Sequence, residues 1–407
     1  MNNESSMKGM PSIRELYRIG HGPSASHTMG PRKAAEDFLA AHPCAARMRV
    51  TLHGSLAATG RGHLTDKAIT DALSPVEVTI EWRPNEPLSE HPNGMTFEAF
   101  DSNQKLIGAW RGYSIGGGEI RAENSPPPAS GLKYENSTMA GLLEWAQREN
   151  QPLWAMVEAR EGVEIWDYLS QVWTVMEAAI SRGLRAQGVL PGGLGLSRKA
   201  RAYYSAGSRL PEARSARISA YALAVAEENA SGGEVVTAPT CGSCAVLPAV
   251  LHFYGLNNGQ ERIRLEALAI AGLVGNMVKT NASISGAQVG CQGEIGTACA
   301  MAAAAGAYIM GATNRQIEYA AEMGLEHHLG LTCDPMAGLV QIPCIERNAM
   351  AAMRAVNCAE YAMLGDGDHV VSFDNVVAVM NQTGHDLPSM YRETAMGGLA
   401  NINLSRT

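Results

Sequence analysis

The stretch Glu123–Gly131, "ENSPPPASG", divides this chain into two kinds of sequence. Three consecutive prolines offer no backbone N–H and fix φ, so they join neither a helix nor a ladder. Upstream, from about residue 12 to 120, helix and strand signals mix. "GPRKAAEDFLAAH" (Gly30–His42) has helical periodicity, whereas "RMRVTLHG" (Arg47–Gly54), "VEVTIEW" (Val76–Trp82) and "MTFEAF" (Met95–Phe100) alternate β-branched or aromatic residues. Downstream, from about residue 137, strand signals almost vanish. "VEIWDYLSQVWTVMEAAISRGL", "ARISAYALAVAEENA", "ERIRLEALAIAGLVGNMVK", "GTACAMAAAAGAYIMGA" and "ERNAMAAMRAVNCAEYAML" all fit helices with wide apolar faces. "FDNVVAVMNQTG" (Phe373–Gly384) is another, with Gly384 as its C-terminal stop. The expected fold is an α+β N-terminal domain followed by a larger, mostly α-helical domain. Residues 1–11 are expected to form a flexible N-terminus, 12–122 the α+β domain, 123–136 the linker and 137–407 the helical domain.

Composition narrows the function classes. The chain has 407 residues, 46% apolar and 18% charged, as an ordinary globular protein has. Its net charge of −8 argues against a general nucleic-acid or anionic-membrane partner. No apolar run reaches the roughly 18 residues of a membrane span. "MNNESSMKGM" lacks the apolar core of a secretory signal, so a cytoplasmic location is expected.

Eight cysteines are present, and a reducing compartment disfavours disulfides among them. Cys299 and Cys358 lie in alanine-rich helical patterns and read as small buried hydrophobes. Cys44, in a helix-to-strand link, reads as structural. Cys291, Cys333 and Cys344 lie instead in loops rich in Gly, Pro, Ser and Asn, spaced 42 and 11 positions apart. That is neither a zinc-ribbon pair nor a compact ferredoxin run. Buried thiols, a disulfide or a cluster held by scattered loops all remain open on spacing alone. The loops "TAPTCGSCAVLP", "TNASISGAQVGCQGEIG", "LTCDPMAGLVQIPC" and "YRETAMGGLA" each abut a helix, where free N–H groups favour carboxylates.

These segments carry a resemblance. "KTNASISGAQVGCQGEIG", "EHHLGLTCDPMAGLVQIPCIERNA" and "YRETAMGGLA" resemble the signature segments of the iron–sulfur-dependent L-serine dehydratases, in their single-chain form. So do "SIRELYRIGHGPSASHTMGP", "GSLAATGRGHLTDKA", "HPNGMTF", "YSIGGG" and "GVLPGGL", and the likeness runs in order from Ser12 to Ala400. The resemblance implies a 4Fe–4S cluster on Cys291, Cys333 and Cys344 with one iron open to substrate, and no pyridoxal phosphate. It implies His63 as general base. It places Ser24, Ser26, His27, Thr28, Asn93, Cys241, Thr280, Asn281, Ser283, Ser285 and Gly286 around a small amino-acid substrate. It further implies a homodimer acting in amino-acid degradation and gluconeogenesis.

The chemistry fits these residue types. An open iron can act as Lewis acid on the poor leaving group of serine, and a histidine suits removal of the weakly acidic Cα proton. Other features have plainer readings. Gly116–Gly118 reads as a tight turn joining the domains, His327–His328 as a capping or supporting pair, and Cys241–Cys244 as something other than a redox pair. The chain departs from the resemblance at Cys241, in its trimmed loops, and at its end, where Ser405 stands in place of a terminal cysteine. Cys241 keeps elimination on threonine, cysteine or a modified serine open, beside a non-catalytic amino-acid sensor.

Overall fold

The computed structural model describes residues 9–125, 131–207, 213–255, 259–393 and 396–402. Pro126–Pro128 and Ser405 lie outside the described residues. The strands are β1 (Ile19–His21), β2 (Arg47–His53), β3 (Glu77–Arg83), β4 (Gly94–Phe100), β5 (Leu106–Gly116), β6 (Glu119–Ala122) and β7 (Glu234–Val236). Five of them form one sheet in the order β3-β2-β4-β5-β6. Along β2, Met48, Val50 and Leu52 are buried and alternate with half-buried Arg47, Arg49 and Thr51, the period-two pattern of a sheet with one covered face. Val50 faces Phe97 across the antiparallel β2–β4 pair, and both belong to a core with Phe38, Ile69 and Leu73. That core is closed by α1 (Gly30–Ala41) and α3 (Thr65–Leu73). β2 and β3 run parallel, so a crossover must join them. It consists of α2 (Gly54–Thr59), a turn and α3, and His63 sits in that turn.

The rest is helical: α4 (Met139–Glu149), α5 (Leu153–Glu161), α6 (Ile165–Arg185), α7 (Ala200–Gly207), α8 (Arg214–Ala230), α9 (Val246–Phe253), α10 (Glu261–Asn281), α11 (Gly286–Val289), α12 (Ile295–Ile309), α13 (Asn314–Glu326), α14 (Cys344–Ala362) and α15 (Phe373–Asp386). α12 is the hub, packed by α9, α10, α13 and α14. It is buried all round from Ile295 to Ala307, as a helix apolar on every face must be. Its alanines let neighbours come close, and a side chain on Gly324 of α13 would meet the Ala300 backbone at 2.8 Å. Among the described residues no helix is long and apolar enough to cross a membrane.

The α+β-then-helical architecture expected from the sequence is what the chain adopts, with four local differences. First, β7 interrupts the helical half and pairs antiparallel with β1. The leading segment therefore packs with the helices: Met10, Ile13, Leu16 and Tyr17 enter the helical core, and Tyr17 donates its hydroxyl to the Leu268 carbonyl at 2.8 Å. Second, Gly116–Gly118 is the expected tight turn, with all three glycines at positive φ, but it closes the β5–β6 hairpin and meets the helical half by contact with Ile284 and Ser285 rather than along the chain. Third, Gly384 does not stop its helix, because α15 runs on to Asp386. Its glycine answers a packing demand: a Cβ there would lie 2.5 Å from that of Val289. Fourth, Cys44 is exposed, while Cys299 and Cys358 are buried.

Candidate active site

The histidine side of the site is built by two short segments tied together. Ser24 caps a π-helical turn, Ala25–Met29, by accepting from the His27 N–H, and Ser24, Ser26, His27 and Thr28 are all buried there. Thr28 donates its hydroxyl to the His63 carbonyl at 2.7 Å. Thr65, at the start of α3, donates in turn to the His27 carbonyl at 2.5 Å. The two imidazoles consequently stack, with ring centroids 4.5 Å apart.

Their partners assign the tautomers. His63 Nδ1 lies 3.0 Å from the Thr59 carbonyl, which only accepts, so Nδ1 carries the proton and Nε2 the lone pair. Ser55 gives its proton to the Glu393 carbonyl at 2.7 Å and thus accepts from His27 Nε2, 3.2 Å away. His27 Nδ1 is left to accept from Ser26, at 2.9 Å. Burial keeps both rings neutral. It pushes His63 down to about 4, against the smaller pull of the Thr59 carbonyl. It also holds His27 well below its ordinary value, with the His63 charge adding to the effect.

The thiol side comes from two separated loops, one carrying Cys291 and the other Cys333 and Cys344. Cys291 opens the 3₁₀ turn before α12, and Cys344 is the first residue of α14. Cys333 runs beside the chain end: its N–H donates to the Tyr391 carbonyl at 2.8 Å and its carbonyl accepts from the Glu393 N–H at 2.7 Å. Burial raises all three thiols; on Cys333 Glu393 and Glu294 add to it, then Cys291 and Cys344, and on Cys344 the next contribution is that of Cys291. Arg347, one turn into α14, opposes this and hydrogen-bonds the Cys291 thiol, which burial nonetheless pushes up to about 11. Among the described residues no three His, Cys, Asp or Glu groups converge on a single metal ion. The donor set itself suits a polynuclear iron–sulfur centre: three free cysteines from two loops beside one guanidinium. Gly286 adds room, since a Cβ there would lie 3.2 Å from the Cys333 sulfur and 2.7 Å from Glu294 Oε2.

Two carboxyls join the halves. Glu294 accepts from the Thr240 hydroxyl at 2.7 Å, and burial raises it to about 7. Glu393 places Oε1 3.5 Å from His27 Nδ1 and 3.7 Å from His63 Nε2. Burial, then Glu294, pushes it well above the usual carboxylate range. Its Oε2 is buried without a partner.

The remaining candidates divide. Gly286 lies next to the Cys333 sulfur, and the hydroxyl of Ser285 before it is buried without a partner. Ser283 donates to Gln288 Oε1 and accepts from the Ser285 N–H. Asn93 donates Nδ2 to the Ser114 carbonyl at 3.3 Å and leaves Oδ1 free. Cys241 is buried with its sulfur 3.4 Å from that of Met29, and Glu294 adds to the rise of its thiol. Asn281 is exposed and donates to the Ser137 carbonyl, while Thr280 lines a separate cavity of about 450 Å³ with Lys279 and His91. The structure does not bring these two to the thiols. A cavity of about 440 Å³ is lined by Ser55, Ala287, Pro84, Pro87, Pro92 and Arg392 among others, and Ser55 in its wall donates its hydroxyl to the Glu393 carbonyl. Sequence reading passed over Glu294, Arg347, Glu393 and Ser55. Their signal was faint: charged or polar residues inside Gly- and Cys-rich loops.

Residues 97–400 match the family model for the serine dehydratase alpha chain, and residues 12–79 that for the beta chain. The chain is 42% identical to the L-serine dehydratase of Streptomyces coelicolor, covering 96% of this chain and 98% of that protein. It is 39% identical to L-serine dehydratase 2 of Escherichia coli at the same coverages, and 36% identical to the L-serine dehydratase of Helicobacter pylori over 96% and 98%. The alignment with the Streptomyces protein spans 453 positions, so that relative carries insertions that this chain lacks.

Proposed function

Since the chain belongs to the serine dehydratase family, with beta- and alpha-chain parts in one polypeptide, we propose how its residues carry out the family's reaction. It is an L-serine ammonia-lyase: water is eliminated from L-serine, and the enamine released hydrolyses to pyruvate and ammonium. Full-length relatives named L-serine dehydratase favour this over the threonine, cysteine and sensor readings.

Cys291, Cys333 and Cys344 are the proposed ligands of a 4Fe–4S cluster. When bound, such a cluster supplies Lewis-acid polarisation of the leaving hydroxyl. His63 is the proposed base. Its Nδ1–H is committed to the Thr59 carbonyl, so the Nε2 lone pair is the free one, and it faces Glu393. It takes the Cα proton as the Cα–Cβ double bond forms and the hydroxyl departs. Thr28 and Thr65 hold the two stacked imidazoles in place. Ser285, Asn93 and Ser24 are the proposed polar contacts for the substrate carboxylate and hydroxyl, with Ser26 and Cys241 behind them. Burial excludes water, which would otherwise compete for the base. The two-domain division with a linker at 123–136 is supported by two separate hydrophobic cores. The resemblance supports a cytoplasmic homodimer in amino-acid degradation, which light scattering of the purified protein tests.

The observation that carries this reading is the meeting of two buried cysteines and the half-buried Cys344 with two buried neutral imidazoles across Glu393. The test is anaerobic reconstitution with iron and sulfide, followed by pyruvate and iron assays. Serine replacement of Cys291, Cys333 or Cys344 should abolish iron retention, while Cys299→Ser and Cys358→Ser should keep it. Iron kept by Cys291→Ser and lost by Cys299→Ser would reverse the ligand assignment.

A further inference from the structure

We propose that Glu393 accepts the α-ammonium group of the substrate and sets the preference of this site for an amino acid over the matching hydroxy acid. The inference rests on the serine-dehydratase reading and names the residue that reads the amine. Glu393 is 5% exposed, and its Oε2 has no partner. Its Oε1 lies 3.7 Å from the lone-pair nitrogen of His63. Because the amine is one bond from Cα, an ammonium held on this carboxylate brings the Cα proton to the base.

The neighbouring carboxylates are engaged elsewhere. Glu294 Oε1 takes the Thr240 hydroxyl, and its Oε2 lies 4.0 Å from the Cys333 sulfur. Asp334 accepts from Thr332 on one oxygen and from the Leu399 N–H on the other. Of these three, Glu393 is the carboxyl that lies within 4 Å of both imidazoles. Its backbone is also clamped in the left-handed region, at φ +56°, by the Cys333 carbonyl on one side and the Ser55 hydroxyl on the other. A residue with a Cβ held there is being aimed. A hydroxyl in place of the amine would bring one donor instead of three and no charge to balance a buried carboxylate.

The test compares L-serine with L-glycerate in the iron-loaded, anaerobic enzyme. In the wild type, L-glycerate should inhibit competitively with a constant at least roughly tenfold above the KM for L-serine. Glu393→Gln keeps the side-chain shape and removes the ionisable carboxyl, which the incoming ammonium group draws into its charged form. It should raise the KM for L-serine by roughly 10- to 100-fold, with a smaller loss in kcat, and leave L-glycerate inhibition unchanged or tighter. A merely structural role would weaken both ligands alike, and that result overturns the proposal. So does a kcat lost at constant KM, which would make Glu393 a proton carrier. Should the variant fail to fold or to hold iron, the wild type still decides: equal calorimetric affinity for L-serine and L-glycerate refutes an ammonium acceptor. A wild type that releases no pyruvate from L-serine refutes the functional reading instead, and the same pair of affinities still judges Glu393.

Discussion

At the scale of single residues, the site separates what a sequence displays from what it hides. His63 and the three loop cysteines stand in unusual local words, so they are legible before any coordinates. Glu393 and Glu294 are not, because an acidic residue in a loop is ordinarily solvated, and only the fold withdraws these two from water. His63→Ala should retain bound iron and lose roughly 10²-fold or more in turnover, as the loss of a general base does. Near-normal turnover would move the base to His27, its stacked neighbour. The pH dependence has a definite sign. For the proposed base the neutral imidazole is the active form, and burial pushes His63 down to about 4. The groups facing it are His27, whose charge would lower it further, and Glu393, whose charge would raise it. The acidic limb of kcat/KM should therefore lie below the ordinary imidazole value of about 6.5. Gly286→Ala probes the thiol side. Its Cβ would press on Glu294 and the Cys333 sulfur, so iron content and activity should fall while the far-ultraviolet dichroism of the helices is kept.

At the scale of elements, most helices and three strands follow directly from hydrophobic period, since β2 and α6 each bury one face. β5 gave little signal because Gly108 and Gly112 interrupt it and Leu106 and Ile107 remain exposed at its start. Gly384 misled for a related reason. A glycine near the end of a periodic run reads as a stop, but this one lies inside α15 where α11 crosses closely. Gly384→Ala should cost about 1–3 kcal/mol through overpacking against Val289, measured as a lowered denaturation midpoint with an unchanged m value. Thr65→Val removes the hydroxyl that ties α3 to the π-helical turn. It should cost about 1 kcal/mol and loosen His27 more than the distant helical core, which hydrogen exchange can resolve.

At the scale of the whole molecule, the proposed site draws its groups from both halves of the chain. One side supplies His27, His63 and Ser55, and the other supplies the thiols, Glu294 and Glu393. A ligand held between them stabilises both. A non-reacting substrate analogue at 100 times its Kd should add about 2.7 kcal/mol to unfolding stability. Protection against hydrogen exchange should rise together in Ala25–Met29 and around Cys333. Protection gained on only one side would place the ligand elsewhere.

The amino-acid sequence by itself determined the order of an α+β part and a helical part, because hydrophobic period and proline placement are local properties of the chain. It also marked the cysteines and His63, whose surroundings in the chain are distinctive. Only the tertiary structure decided which distant groups share a space. It brought Glu393, more than 300 positions along the chain, beside His63, gave Arg347 to the thiols, and turned Asn281 outward. Burial and proximity are made by packing, and they alone convert an ordinary glutamate or histidine into a group with a perturbed charge and an assigned partner.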